Sequence, residues 1–211
     1  LGDARVLSDV LPLMEHPELA MREAATFTLG RSGDKRAVGP LVKALGDRRP
    51  SVQTLACLGL AQIDDARVAP AAISMLADPR KDDVTRAACA YAIGVRRSTG
   101  ATPALLAALV DNRGEAQRVA AWALGQIGDP KTLGPLVRAY YARAGRSSEE
   151  LVWAIGRVSG VGLQPIAGPE LGEYPVKSSK YDAAAALGDL PGPLPRPTTP
   201  GKLVADHADD I

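Results

Sequence analysis

Residues 120–130 read AAWALGQIGDP, and this stretch decides the fold. Alanine and leucine are the strongest apolar helix formers, whereas Gly-Asp-Pro ends a helix and turns the chain. The same pattern lies at 24–34 (AATFTLGRSGD), 55–65 (LACLGLAQIDD), 87–100 (AACAYAIGVRRSTG) and 151–160 (LVWAIGRVSG). Each copy carries a small residue in register: Gly30, Ala61, Gly94, Gly125 and Gly156, spaced by 31, 33, 31 and 31 residues. Repetition at that period marks an array of two-helix units rather than a single mixed core.

A second helical pattern precedes four of these segments, seen as VGPLVKALGD (38–47), VAPAAISMLAD (68–78), TPALLAALVD (102–111) and LGPLVRAYYARAG (133–145). Pro12, Pro40, Pro70, Pro103 and Pro135 fall near the starts of these first helices, where a missing N–H costs no helical hydrogen bond. Each unit is therefore helix A, a turn, helix B and a second turn. In helix B an apolar residue stands before the register position: Leu29, Leu60, Ile93, Leu124 and Ile155. One hairpin cannot cover such a stripe, whereas stacked neighbours can. The fold class predicted is all-α, a right-handed α-solenoid over residues 1–160. The opening LGDARVLSDVLPLMEHPE reads as a turn and helix A without its preceding helix B, which suggests a piece of a longer array.

These units resemble short HEAT repeats of the type related to phycobilin lyases, which read approximately V-R-x-x-A-A-x-A-L-G-x-I-G-D-P. Residues 120–130 match best; Met21-Arg22, Gly30 and Asp34 match in part, as do Val84 and Arg86 with a one-residue shift. The resemblance implies HEAT-like helical hairpins and is almost silent on function; the role expected of such an array is a non-catalytic scaffold or adaptor that binds a protein segment on its concave face. The resemblance also implies that Arg22 and Arg86 link units structurally with turn carboxylates such as Asp34, Asp65 and Asp129. A bilin lyase-like enzyme is the less favoured alternative, because fold alone does not establish reaction.

Glycine within a helix costs roughly 1 kcal/mol relative to alanine. The register residues therefore mark either close helix approach or helix ends. Three residues before them stand Phe27, Leu58, Tyr91, Trp122 and Trp153, and immediately after them Arg31, Gln62, Val95, Gln126 and Arg157. The column containing Tyr91, Trp122 and Trp153 is either an aromatic strip for a protein segment or packing between repeats. Gln126 and Arg157 are the polar candidates for contact with a partner, either a separate protein or another domain of the same polypeptide.

Composition narrows the function classes. With 25 Lys and Arg against 24 Asp and Glu, the chain has no long-range basic field, which argues against nucleic acid. A DNA-backbone-binding array using Arg22, Arg31, Arg86, Arg118, Arg138 and Arg157 is the competing reading. Two histidines, His16 and His207, offer no metal motif, and no phosphate loop or nucleophile elbow is present. No enzyme activity, cofactor or metal is expected. Cys57 and Cys89 read as reduced thiols in helix cores. No apolar run spans a bilayer, so a cytoplasmic setting is expected, with export left open by the start at Leu1. Residues 161–211 break the period with Gly- and Pro-rich stretches around KYDAAAALGDL, where 180–190 suits a short helix. This segment is read as a cap on the last repeat, an occupant of the concave face or an arm toward another molecule.

Overall fold

Residues 4–111, 114–142 and 149–160 are described by the computed structural model, and every regular element among them is helical. The A helices are α1 (Ala4–Val10, continued by a 3-10 turn at Leu11–Glu15), α3 (Val38–Ala44), α5 (Val68–Ala77), α7 (Thr102–Val110) and α9 (Leu133–Ala142). The B helices are α2 (Leu19–Ser32), α4 (Pro50–Ala61), α6 (Asp83–Val95), α8 (Gly114–Ile127) and α10 (Glu149–Val158). Alternation of A and B gives the all-α helical-hairpin solenoid that the repeat predicts.

Local chemistry sets the ends of these helices. Asp34, Asp65 and Asp129, in the turns from B to A, accept from the backbone N–H two residues later at 2.8, 2.9 and 3.0 Å. Such turns reverse the chain without a long loop. In the opposite turns Pro50 occupies the first turn of α4, and the Asp82 carboxylate caps α6 by accepting from Val84 and Thr85. Gly33, Gly128 and Gly160 take left-handed φ values of 64°, 72° and 78° after α2, α8 and α10. The third repeat has Arg97 in this role, with φ of 47°, although the left-handed region disfavours a Cβ.

Each central B helix packs against the B helices before and after it and against helix A of its own repeat. Neighbouring A helices touch one another much less, so the array curves with the B helices on the inside. Between the layers Leu29, Leu60, Ile93, Leu124 and Ile155 meet Leu41, Leu76, Leu105 and Leu136 of the A helices, all fully buried. Each such leucine contributes about 1.5–3 kcal/mol of apolar burial, the term that offsets the ordering of the chain.

The register glycines are sites of close approach rather than helix ends, since α2, α6 and α8 continue past Gly30, Gly94 and Gly125. A Cβ on Gly30 would lie 2.5 Å from Cα of Gly59, so the backbones of α2 and α4 touch there. On Gly125 it would lie 2.5 Å from the Trp153 ring and 2.9 Å from Cα of Ala154, and on Gly94 it would run into Trp122 and the backbone of Ala123. The glycines are notches that receive the next helix B or its indole. In the second repeat the contacting glycine is Gly59, which the register had passed over in favour of the buried Ala61. Gly156 is buried in α10.

One expectation is corrected. Cys57 and Cys89 are not separate thiols: a disulfide joins them, with Cα atoms 5.0 Å apart. Their separation of 32 residues is close to the repeat period, so it places them at facing points of α4 and α6, where both are completely buried. The lack of a CxxC spacing hid a pairing that only repeat stacking creates.

Candidate functional site

The inner layer carries both recurrent columns. Tyr91, Trp122 and Trp153 are not an open strip: they retain 4%, 3% and 2% of their exposure. Each indole leans back across the preceding helix B, Trp122 into the notch at Gly94 and Trp153 into that at Gly125. Tyr91 and Trp122 stack with centroids 5.3 Å apart and planes 13° from parallel. This geometry adds about 0.5–1.5 kcal/mol beyond area burial. Burial raises the pKa of the Tyr91 phenol. The indole Nε1 of Trp122 is buried with no hydrogen-bond acceptor. An unsatisfied donor of this kind costs about 1–3 kcal/mol and is uncommon in a settled core.

The column beside it is wetter. Arg31, Gln62 and Arg157 are exposed, and Val95 and Gln126 are half-buried. Arg157 lies one turn after Trp153, its guanidinium carbon 6.0 Å from the ring centroid, at the outer limit of a cation–π contact. The inner face therefore combines buried ring systems with a rim of cationic and amide groups.

A separate polar seam runs along the starts of the B helices. Arg22 forms a two-point pair with Asp47, Nε to Oδ2 at 2.8 Å, and donates to the carbonyls of His16 and Pro17 at 3.0 and 3.1 Å. Arg86 pairs with Asp111 at 2.5 Å and donates to the Leu76 carbonyl at 3.0 Å. Both arginines thus reach the A-to-B turn of the following repeat. The expected partners Asp34, Asp65 and Asp129 lie at the opposite end of the hairpin, where they shape B-to-A turns. At alternate repeats Gln53 and Gln117 replace the arginine and donate to the Asp47 and Leu109 carbonyls at 2.5 Å. The Asp83 carboxylate accepts from the backbone of Glu115 and Ala116, and Arg118 bridges Glu115 and Glu150. Thr54 and Thr85 share a hydroxyl hydrogen bond of 2.9 Å. Sequence reading missed Asp47, Asp83, Asp111 and this threonine pair because their partners are one repeat away.

Among the described residues no group of three or more His, Cys, Asp or Glu is placed to hold a metal ion. Nor is any described helix long and apolar enough to cross a membrane.

The family model for HEAT repeats matches residues 7–94 and 80–156, most of the chain. The chain is a HEAT-repeat protein. HEAT-repeat proteins are typically non-catalytic scaffolds for protein–protein interaction. The match is to HEAT repeats as a class and selects no phycobilin-lyase-related branch. Among solved structures, the crystal structure of an engineered protein from the Northeast Structural Genomics Consortium superposes with a TM-score of 0.51 at 18% identity. It covers 76% of this chain and 82% of its own, a likeness of fold alone. Comparison with curated proteins finds no match.

Proposed function

We propose that this HEAT-repeat array is a non-catalytic adaptor that holds a protein segment on the inner face of its B helices. The observation carrying the proposal is the Tyr91–Trp122 stack at the centre of that face, whose buried indole N–H lacks an acceptor. A peptide backbone offers carbonyl oxygens in a row, and aromatic ridges receive its side chains or prolines. Gln126 and Arg157 supply polar contacts at the rim in this reading, while Tyr91, Trp122 and Trp153, buried in the structure, meet a partner only where the face opens to admit it. Protein partners fit better than a nucleic-acid backbone, because Arg22, Arg86 and Arg118 are committed to carboxylates. The repeat length and LGQIGDP at 124–130 support placing the repeats in the short type related to phycobilin lyases, a kinship of architecture without lyase chemistry. A cytoplasmic setting requires the Cys57–Cys89 bond to withstand reducing conditions, in which disulfides are rare.

The test is affinity capture from the source organism's lysate, identification by mass spectrometry, and titration of the recovered protein against wild type and Trp122→Phe. Phenylalanine keeps a stacking ring and removes the donor together with part of the ring at the Gly94 notch, so some loss of thermal stability accompanies it. Roughly fivefold to tenfold weaker binding, measured at a temperature where both proteins are fully folded, supports the reading, as one net hydrogen bond predicts. Unchanged affinity removes the indole from the site, and nuclease-sensitive recovery favours the DNA-binding alternative.

A further inference from the structure

Two clefts of the outer layer occupy the same place in the repeat. One, of about 400 Å³, lies between α7 and α9, walled by Leu106, Leu109 and Val110 on one side and by Pro135, Arg138 and Ala139 on the other. Spacings of three and four residues put each set on one face of its helix. The other cleft, of about 760 Å³, lies between the 3-10 turn after α1 and α3, where Leu11, Met14, Glu15, Pro40, Lys43 and Ala44 line it. Counted from the register glycines Gly125 and Gly30, the two sets of six positions are identical. Their chemistry differs at one of them: Glu15 stands beside Lys43, whereas Val110 stands beside Arg138. The intervening repeats have Ser74 and Ala107 at the place of the cation, so the charge is not a by-product of the period.

In the cleft at α3 the cation is answered from within the chain, because the Glu15 carboxylate pairs with the Lys43 ammonium. In the cleft at α9 that carboxylate is replaced by an isopropyl group. Arg138 is exposed, no acidic residue lines its cleft, and it pairs with no carboxylate among the described residues. Asp111, next in the chain to Val110, is taken by Arg86. The apolar side of the cleft is uncovered too. Val110 and Tyr141, at 73% and 51%, are the exposed large hydrophobic residues among the described ones. Both stand here, Val110 in the wall and Tyr141 beside Ala142 of the rim. Scattered exposed apolar residues are ordinary, but two that flank one cleft and one cation form a patch.

We propose that the cleft between α7 and α9 is a second docking site, for a protein segment in which a Glu or Asp stands next to a bulky apolar residue. The apolar side chain enters between Leu106, Leu109 and Ala139 and covers Val110. The carboxylate reaches the Arg138 guanidinium and takes the part that Glu15 plays toward Lys43. Charge complementarity selects this occupant, since a guanidinium is a planar fork suited to two-point contact with a carboxylate. The cleft volume falls within the range of ligand sites, about 300–1,000 Å³. The site belongs to the A helices, on the side of the array away from the inner face, so it neither requires nor excludes the partner proposed there.

The full chain is screened against a phage-displayed library of random dodecapeptides, and the enriched peptides are titrated by fluorescence anisotropy against wild type, Val110→Glu and Arg138→Glu. Both substitutions fall at exposed positions and leave the buried leucines in place, and circular dichroism checks that each variant is folded. The expected peptides carry Glu or Asp beside Leu, Ile or Phe, and each variant binds them about tenfold more weakly, as a like charge set against the ligand carboxylate predicts. Val110→Glu is the sharper variant, because it supplies from within the chain the carboxylate that Glu15 supplies at α3. Enriched peptides without an acidic residue, binding that either variant leaves unchanged, or no enrichment at all would overturn the proposal. So would sedimentation of the full chain as a dimer that Val110→Glu dissociates, which gives the cleft to a second copy. The Trp122→Phe titration does not touch this cleft, so this proposal and the adaptor reading fail separately.

Discussion

Gly30 shows how a single missing Cβ sets the distance between repeats. Alanine there gains helix propensity of about 1 kcal/mol, yet its methyl group would sit 2.5 Å from a backbone atom of α4. A backbone cannot rotate away as a side chain can, so the helices must separate along their length. Gly30→Ala is expected to lower unfolding free energy by about 1–3 kcal/mol, measured by urea denaturation. Arg97 presents the opposite case. Its left-handed backbone lies where three other repeats use Gly33, Gly128 and Gly160. Arg97→Gly is expected to raise stability by about 1 kcal/mol, read from the same denaturation curves. The contrast separates two uses of glycine that look alike in a sequence: one makes room for a neighbour and the other permits a turn.

At the scale of elements, the B helices are joined to one another by chemistry at several levels. Arg22–Asp47 and Arg86–Asp111 tie the start of one helix B to the following turn, and Cys57–Cys89 joins α4 to α6 covalently. Closing a loop of this size limits the unfolded chain by about 2–4 kcal/mol. Reduction with a phosphine is expected to lower the melting temperature seen by circular dichroism. Because both sulfurs are inaccessible, reduction should be slow in the folded protein and rapid in urea. The polar columns were legible as repeats, but their pairing was not. Arg22 stands 12 residues from Asp34 and 25 from Asp47, and stacking, rather than sequence proximity, makes the farther carboxylate its partner.

Across the whole molecule, stability is a chain of nearest-neighbour interfaces, so exposed turn chemistry recurs and adds up. Hydrogen bonds from Arg80 hold the Asp78 carboxyl down at about 2, and hydrogen bonds from Arg67 and Arg36 lower those of Asp65 and Asp34. These groups have folded pKa values below the unfolded value of about 3.9, so their contribution is present above that pH and disappears as pH falls through the folded values. Urea midpoints should therefore fall between about pH 4 and pH 2. Asp78→Asn should flatten that slope, and salt should weaken it because the turns are exposed.

The sequence by itself determined the architecture, because a 31- to 33-residue period fixes which residues share a helix face and which face must be covered. It likewise determined the register glycines and the buried leucine column, since both follow from local periodicity. Tertiary structure alone decided what each column meets. It put the indoles into glycine notches, exchanged the expected carboxylate partners of Arg22 and Arg86 for others, and brought two distant cysteines together. The reason is geometric: a repeat specifies positions within its own hairpin, while contacts between hairpins depend on the rotation and closeness with which one stacks on the next.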